Sequence, residues 1–135
     1  MKKISLDTWK RRDIFEFFSK MSDPFYSVTF NFDVTEVYGY AKQNGLPFYY
    51  AMVYLVTKAI NRVEAFRYAL VDGELVLFDE RIPSFTDLKT GSECFHIVTM
   101  PCEGDIAEFC REAKHRSTAQ TVFWESEKEG ADLIF

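Results

Sequence analysis

Helix and strand signals alternate along these 135 residues, and the alternation predicts an α/β (α+β) layer structure forming one domain over residues 1–135. Two further observations support it. Apolar residues make up 47% of the chain and aromatic residues 17%, enough for a packed core. An Asp72-Gly73 pair between two short apolar runs marks a β-hairpin, because both residues accept the positive φ values of a type I′ turn.

The elements follow in order. Ile14, Phe17 and Phe18 recur at i, i+3, i+4, so Asp13 to Lys20 is expected to be a short helix with one apolar face. Pro24 closes the next turn. From Tyr26 to Val34 the chain alternates strictly: Tyr26, Val28, Phe30, Phe32 and Val34 against Ser27, Thr29, Asn31 and Asp33. That is the pattern of a half-buried strand. Thr35 is placed to cap a short helix that Gly45 ends. Pro47 fits the first turn of a longer helix reaching Arg62, with Phe48, Met52, Leu55, Val56, Ala59 and Ile60 as its apolar stripe. Arg67 to Val71 and Glu74 to Phe78 flank the hairpin turn, and Phe85 to Leu88 and Cys94 to Met100 read as strands. Gly104 or Asp105 opens a helix to about Arg116, with Ile106, Phe109, Cys110 and Ala113 inward. The segment from Ala131 to Phe135 reads either as a strand that breaks off, leaving an open sheet edge and uncovered apolar surface, or as a short edge strand.

Charge and composition exclude several functions. A net charge of -5 gives no basic face for nucleic acid, and the cluster Lys10, Arg11, Arg12 is short and followed by Asp13 and Glu16. No apolar run is long enough for a membrane span, and the charged N-terminus has no apolar signal core, so a cytoplasmic protein is expected. Cys94, Cys102 and Cys110 are spaced eight apart, which fits neither a metal site nor a redox motif; three reduced, mostly buried thiols are expected. His96 lies in an alternating run, opposite Phe95 and Ile97, and His115 lies at a charged helix end. By spacing neither has a nucleophile or carboxylate partner, so a Ser/His/Asp site has no support. The six glycines form no phosphate loop, and Glu125, Glu127 and Glu129 have no calcium pattern and read as a solvated segment. Fourteen Phe and seven Tyr fill a core or line a pocket for a flat apolar ligand.

A set of short motifs in a fixed order narrows the choice. They are Trp9-Lys10-Arg11-Arg12, Phe15-Glu16-Phe17, Asp33-Val34-Thr35, Pro47-Phe48-Tyr49-Tyr50, the hairpin from Phe66 to Asp79, Pro83-Ser84-Phe85-Thr86, and Phe95. Together they resemble the chloramphenicol acetyltransferase family from Trp9 through Phe123, about the first two thirds of a family member. The resemblance implies a two-layer sandwich, a mixed sheet flanked by helices of the CoA-dependent acyltransferase type, incomplete at the C-terminus. It implies a homotrimer with active sites between subunits, acetyl-CoA as co-substrate, no metal, and antibiotic resistance as the setting. In such enzymes a histidine of a His-His-x-x-x-Asp-Gly motif is the general base toward the chloramphenicol hydroxyl, and a serine hydroxyl stabilises the oxyanion. This sequence stops at Phe135 without that motif, so no catalytic residue is assigned and the 135 residues alone are expected to be inactive.

The resemblance assigns the acceptor wall to Phe17, Phe18, Tyr26, Phe95, Ile97 and Phe123, with Thr86 as a nearby polar group and Tyr49 as a coenzyme A contact. Arg11 matches an arginine that pairs with the motif aspartate to hold the catalytic loop. An unpaired buried arginine costs about 3–5 kcal/mol, so Arg11 needs another carboxylate or a place in water. Phe18 stands where familiar members carry tyrosine, and Ile97 where they carry alanine, which narrows the pocket and widens the choice of acceptor to a related xenobiotic or sugar alcohol. The alternative reading is a non-catalytic small-molecule-binding or oligomerisation module that keeps the aromatic pocket without the chemistry.

Overall fold

The computed structural model describes residues 1–89, 91–125 and 132–134. In chain order the elements are β1 (Lys2–Lys3), α1 (Arg12–Phe18), α2 (Thr35–Gln43), α3 (Phe48–Arg62), β2 (Tyr68–Val71), β3 (Glu74–Leu77), β4 (Ile82–Leu88), β5 (Phe95–Thr99), α4 (Ile106–Ala119) and β6 (Leu133–Ile134), with 3-10 turns at Leu6–Thr8 and Glu64–Arg67. The class is α+β. One antiparallel sheet has the order β1-β3-β2, and a mixed sheet has the order β5-β4-β6. In the mixed sheet β4 runs antiparallel to β5 and parallel to β6, where Ile82 faces Leu133. Leu133 and Ile134 thus form an edge strand; Ala131 and Phe135 lie outside the described residues, as do Glu127 and Glu129.

The core is the seam between α3, α4 and the inner face of β4 and β5. Ala51 and Val53 from α3 meet Phe109 and Ala113 from α4 over Phe85 and Val98. Small residues at the crossing, with Ala51 and Ala113 fully buried, let the two helix backbones approach closely. This rotates α3 from the expected stripe. Tyr50, Ala51, Val53 and Thr57 are its buried residues, whereas Val56 and Ala59 are exposed. The helix is as expected, but its apolar residues run nearly all round it, so periodicity alone does not select the buried side.

Local chemistry explains the boundaries. Asp72 and Gly73 both take positive φ, 51° and 79°, and set the β2–β3 hairpin with Val71 opposite Glu74. Gly45, at φ 64°, ends α2. Thr35 is the first residue of α2 rather than its cap; Val34 holds the N-cap position without a side-chain bond, and Asp33 before it accepts the Thr35 N–H at 2.9 Å. Asp105 opens α4 with a capping box: its carboxylate accepts from Ala107 and Glu108 N–H while Glu108 reaches back to the Asp105 N–H. Cys94 is exposed, Cys102 and Cys110 are buried, and all three are free. Burial pushes the Cys102 and Cys110 thiols above their ordinary pKa.

Two expectations fail. The segment Tyr26–Val34 is not a strand; it pairs with nothing among the described residues, and Phe25, Tyr26, Phe30 and Phe32 lie in solvent, Tyr26 at 90% exposure. An alternating pattern specifies a strand only when a sheet edge is present to receive it. Helix α1 forms, but its apolar residues Ile14, Phe17 and Phe18 are exposed, because no described element covers that face.

Replacing Asp105 by alanine removes two side-chain hydrogen bonds at the start of α4. The expected loss is about 1 kcal/mol of folding stability, read as a lower urea midpoint at unchanged slope.

Candidate functional site: an aromatic groove on the outer sheet face

Strand alternation gives β4 and β5 two distinct faces. Thr86 pairs with Ile97 and Ser84 with Thr99 on the outer face; Phe85 pairs with Val98 and Asp87 with His96 on the inner one. Where α3 meets the edge of β4 there is a groove of about 380 Å³, lined by Tyr49, Met52, Val53 and Val56 of the helix and by Ser84, Phe85, Thr86 and Ile97 of the sheet. That volume is within the range of small-molecule sites, and the wall is mostly apolar with a few hydroxyls. Ser84 and Thr99 join their hydroxyls across the strands at 3.0 Å, and Tyr49 donates its hydroxyl to the Thr86 carbonyl at 2.8 Å.

The chain after α4 completes this face. The Ile97 N–H donates to the Phe123 carbonyl at 2.8 Å, Ile97 bridges Trp124 in parallel register, and the Trp124 indole N–H reaches Thr99 Oγ1 at 3.3 Å. Phe123 thereby comes to Phe95, their ring centroids 5.7 Å apart. Gln120 holds the segment in place. Its buried amide donates to the carbonyls of Ile97 and Val122, each at 2.9 Å, and of Phe123 at 3.3 Å. Sequence reasoning missed Gln120; a lone glutamine at a helix end carries no periodic signal, and its partners become visible only once the chain turns back along β5.

Of the expected site residues, the structure gathers Tyr49, Thr86, Phe95, Ile97 and Phe123 around one sheet face. It does not gather Phe17, Phe18 and Tyr26. Phe17 and Phe18 meet each other edge to face at 5.2 Å and do not line the groove, and Tyr26 stands in solvent. Arg11 is exposed, so the cost of an unpaired buried charge does not arise. A larger recess, about 580 Å³, lies between α4 and the sheet, but Glu112, His115, Arg116 and Asp132 make its wall charged, and it holds none of the expected site residues. Among the described residues no group of three His, Cys, Asp or Glu is placed to hold a metal ion.

The inner face carries a polar cluster that the spacing did not reveal. His96 Nε2 lies 3.0 Å from Ser117 Oγ, both groups buried, and Tyr50 donates its hydroxyl to Asp87. Burial pushes the Asp87 carboxyl up, but hydrogen bonds from Ser117, Tyr50 and the Leu88 N–H, with the His96 charge, outweigh it and hold the carboxyl below its ordinary value. Burial and the Asp87 carboxylate push the Tyr50 hydroxyl from 10.0 to about 12. The cluster brings a serine, a histidine and an aspartate together, but Ser117 is 5% exposed and lines neither the groove nor the recess, so it meets no substrate.

Both shifts set limits on stability. Asp87 binds its proton less readily in the folded state, so its contribution is complete above the ordinary carboxylate range and is lost as pH falls below about 4 through its lowered folded value. Tyr50 holds its proton more tightly when folded, so stability falls as pH rises from 10 toward 12. Urea midpoints across pH are expected to drop at both ends, with Asp87→Asn flattening the acid limb and Tyr50→Phe the alkaline one. Gln120→Ala removes three side-chain hydrogen bonds that hold the chain after α4 against β5, at a cost of about 1 kcal/mol or more, and faster amide exchange at Ile97 is the expected sign.

Comparison with known proteins matches this arrangement to one family. The family model described as chloramphenicol acetyltransferase covers residues 1–125. Chloramphenicol acetyltransferase of Staphylococcus aureus is 38% identical over 108 residues, 79% of this chain and 50% of that protein. Chloramphenicol acetyltransferase 2 of Escherichia coli is 33% identical over 107 residues, with the same shares. A solved chloramphenicol acetyltransferase superposes with a TM-score of 0.80 at 28% identity, over 90% of this chain and 57% of that one. The chain spans about half the length of the curated relatives it matches. A groove walled by α3 and the β4–β5 pair, together with the matches across residues 1–125, leads to one assignment: the chain belongs to the chloramphenicol acetyltransferase family.

Proposed function

We propose that these residues form the acceptor wall of an acetyl-CoA-dependent O-acetyltransferase whose acceptor is a hydroxyl of chloramphenicol or a related small molecule. The observation that carries the reading is the placing of Thr86, Ile97, Phe95 and Phe123 around one sheet face beside an apolar groove, within a chain of this family. Rings and aliphatic groups hold the flat part of such an acceptor, and the hydroxyls of Thr86 and Ser84 orient its polar part.

In the reaction a general base removes the acceptor hydroxyl proton, the oxygen attacks the thioester carbonyl, and the tetrahedral intermediate collapses to the ester and the coenzyme A thiolate, which takes up a proton. Neither histidine of this chain suits the role of base. His96 is buried against Ser117, and His115 is exposed on α4 away from the groove. The base therefore belongs to a His-His-x-x-x-Asp-Gly segment in a longer form of the protein, working in the cytoplasm as a homotrimer. Tyr49 spends its hydroxyl on Thr86 and offers coenzyme A only the exposed part of its ring. Phe17, Phe18 and Tyr26 join the acceptor wall only in that assembled form, and Arg11, already exposed, pairs there with the motif aspartate.

The absence of a suited base also favours the second reading, a binding or oligomerisation module without chemistry. Acetyl transfer from acetyl-CoA to chloramphenicol, followed by thiol release, separates the two when run on this chain and on the chain extended through its reading frame. Turnover in the extended form alone is the expected result; none in either, with chloramphenicol still bound, favours the module. In an active form Phe95→Ala is expected to raise KM for the acceptor about tenfold, the equivalent of about 1.4 kcal/mol of lost ring contact, with little change in kcat.

A further inference from the structure

Burial does not hold the aromatic pair of the outer face. Phe95 is 52% exposed and Phe123 58%, so neither ring is fixed by a core around it. Main chain fixes them instead. Phe95 belongs to β5, whose pairing with β4 sets it opposite Leu88. Phe123 lies in no helix or strand, and its place is set by the bonds its backbone makes. Its carbonyl accepts the Ile97 N–H at 2.8 Å and the Gln120 amide at 3.3 Å.

Gln120 starts from a fixed point. Its backbone closes α4, where its N–H donates to the Arg116 carbonyl at 2.9 Å, and the chain then leaves the helix at φ -62°, ψ 130°. The side chain folds over the segment that follows, and its three partners are the carbonyls of Ile97, Val122 and Phe123. Carbonyl oxygens only accept, so the amide nitrogen rather than the amide oxygen must face them. Two N–H bonds supply the two contacts at 2.9 Å, and one of them is shared with Phe123. Gln120 is 6% exposed, and at such a site three converging oxygens favour a neutral donor and reject a carboxylate. Methionine has the same reach without a donor. Glutamate has the same shape and donates only when protonated.

We propose that Gln120 is a positioning residue for acceptor binding: its amide, donating to β5 and to the segment after α4 at once, holds the Phe123 ring against Phe95, and the affinity of the wall for an aromatic acceptor depends on that donor rather than on the bulk of the side chain. The inference deepens the acceptor-wall reading and rests on it. Without the amide, the Phe123 backbone keeps its bond from Ile97 but loses its tie to the end of α4, and its ring moves relative to Phe95.

The test reads the ring pair directly. In the ligand-free unaltered chain a proton–proton contact between the Phe95 and Phe123 rings is expected by NMR; its absence overturns the proposal. Gln120→Met is expected to lose this contact while the core pair Tyr54 and Phe109, with centroids 5.5 Å apart, keeps its own. Binding of chloramphenicol, used as the probe, is expected to weaken by about threefold to tenfold, the share of one aromatic contact. Gln120→Glu is expected to show both losses at about pH 7.5 and to recover from both at about pH 5, because burial raises the pKa of the carboxyl and the proton it takes up restores a donor. The recess beside Gln120 also holds Glu112, His115, Arg116, Glu125 and Asp132, whose titration the unaltered chain shares, so that chain at both pH values is the reference. A folded Gln120→Met chain that keeps the ring contact and the affinity overturns the proposal, as does a Gln120→Glu chain that reads alike at the two pH values. If Gln120→Met does not fold, Gln120→Glu decides. If the unaltered chain binds no chloramphenicol, the acceptor-wall reading fails by itself, while the ring contact in the ligand-free chains still decides the role of Gln120.

Discussion

The antiparallel register of β4 against β5 is the constraint on which the rest depends. With Asp87 opposite His96, every residue of the pair is committed to a face. A slip of one position would move Thr86 and Ile97 into the helix layer and bring Asp87 and His96 to the groove. The register is held from both sides. Ser84 and Thr99 join hydroxyls on the outer face, while Phe85 and Val98 are locked into the core on the inner face. Tyr49 and Tyr50 then fix the strand along its length relative to α3.

The helix layer is organised to serve that sheet. The α3–α4 seam buries alanines from both helices, and beside it His96 meets Ser117 while Tyr50 reaches Asp87. A carboxylate partly withdrawn from water is costly unless its oxygens are occupied, and Asp87, half-buried, is bonded on both. Gln120 plays a comparable part on the far side, where one amide serves three carbonyls and returns the chain along β5. Hence Phe123, which follows the last turn of α4, stands beside Phe95, 28 positions earlier in the chain.

Much of this was legible in the residues. Asp72-Gly73 gave the hairpin because its φ requirement is local, and the start of α4 was bracketed to Gly104 or Asp105, with Asp105 the cap in the structure. The candidate residues on β4 and β5 came only from the ordered motifs shared with a family; alternation alone would have put Phe95 and Ile97 on one face without saying which face was open. What the sequence could not show was relational. The alternation from Tyr26 to Val34 is as regular as any in the chain, but a strand needs a neighbour, and none is present among the described residues. The burial side of α3 was misjudged because nearly every position on it is apolar. The Asp87–His96–Ser117 cluster draws on three elements and 30 positions of chain, beyond any spacing rule.

The three thiols differ in a way that has a practical use. Cys102 and Cys110 are buried, with their thiols held protonated, whereas Cys94 is exposed and sits next to Phe95 at the rim of the aromatic pair. A thiolate is the reactive form, so an alkylating dye would enter at Cys94 first. The protein thus carries a native attachment point for an optical reporter within one residue of its candidate binding face, and occupancy of that face becomes readable without altering a single amino acid.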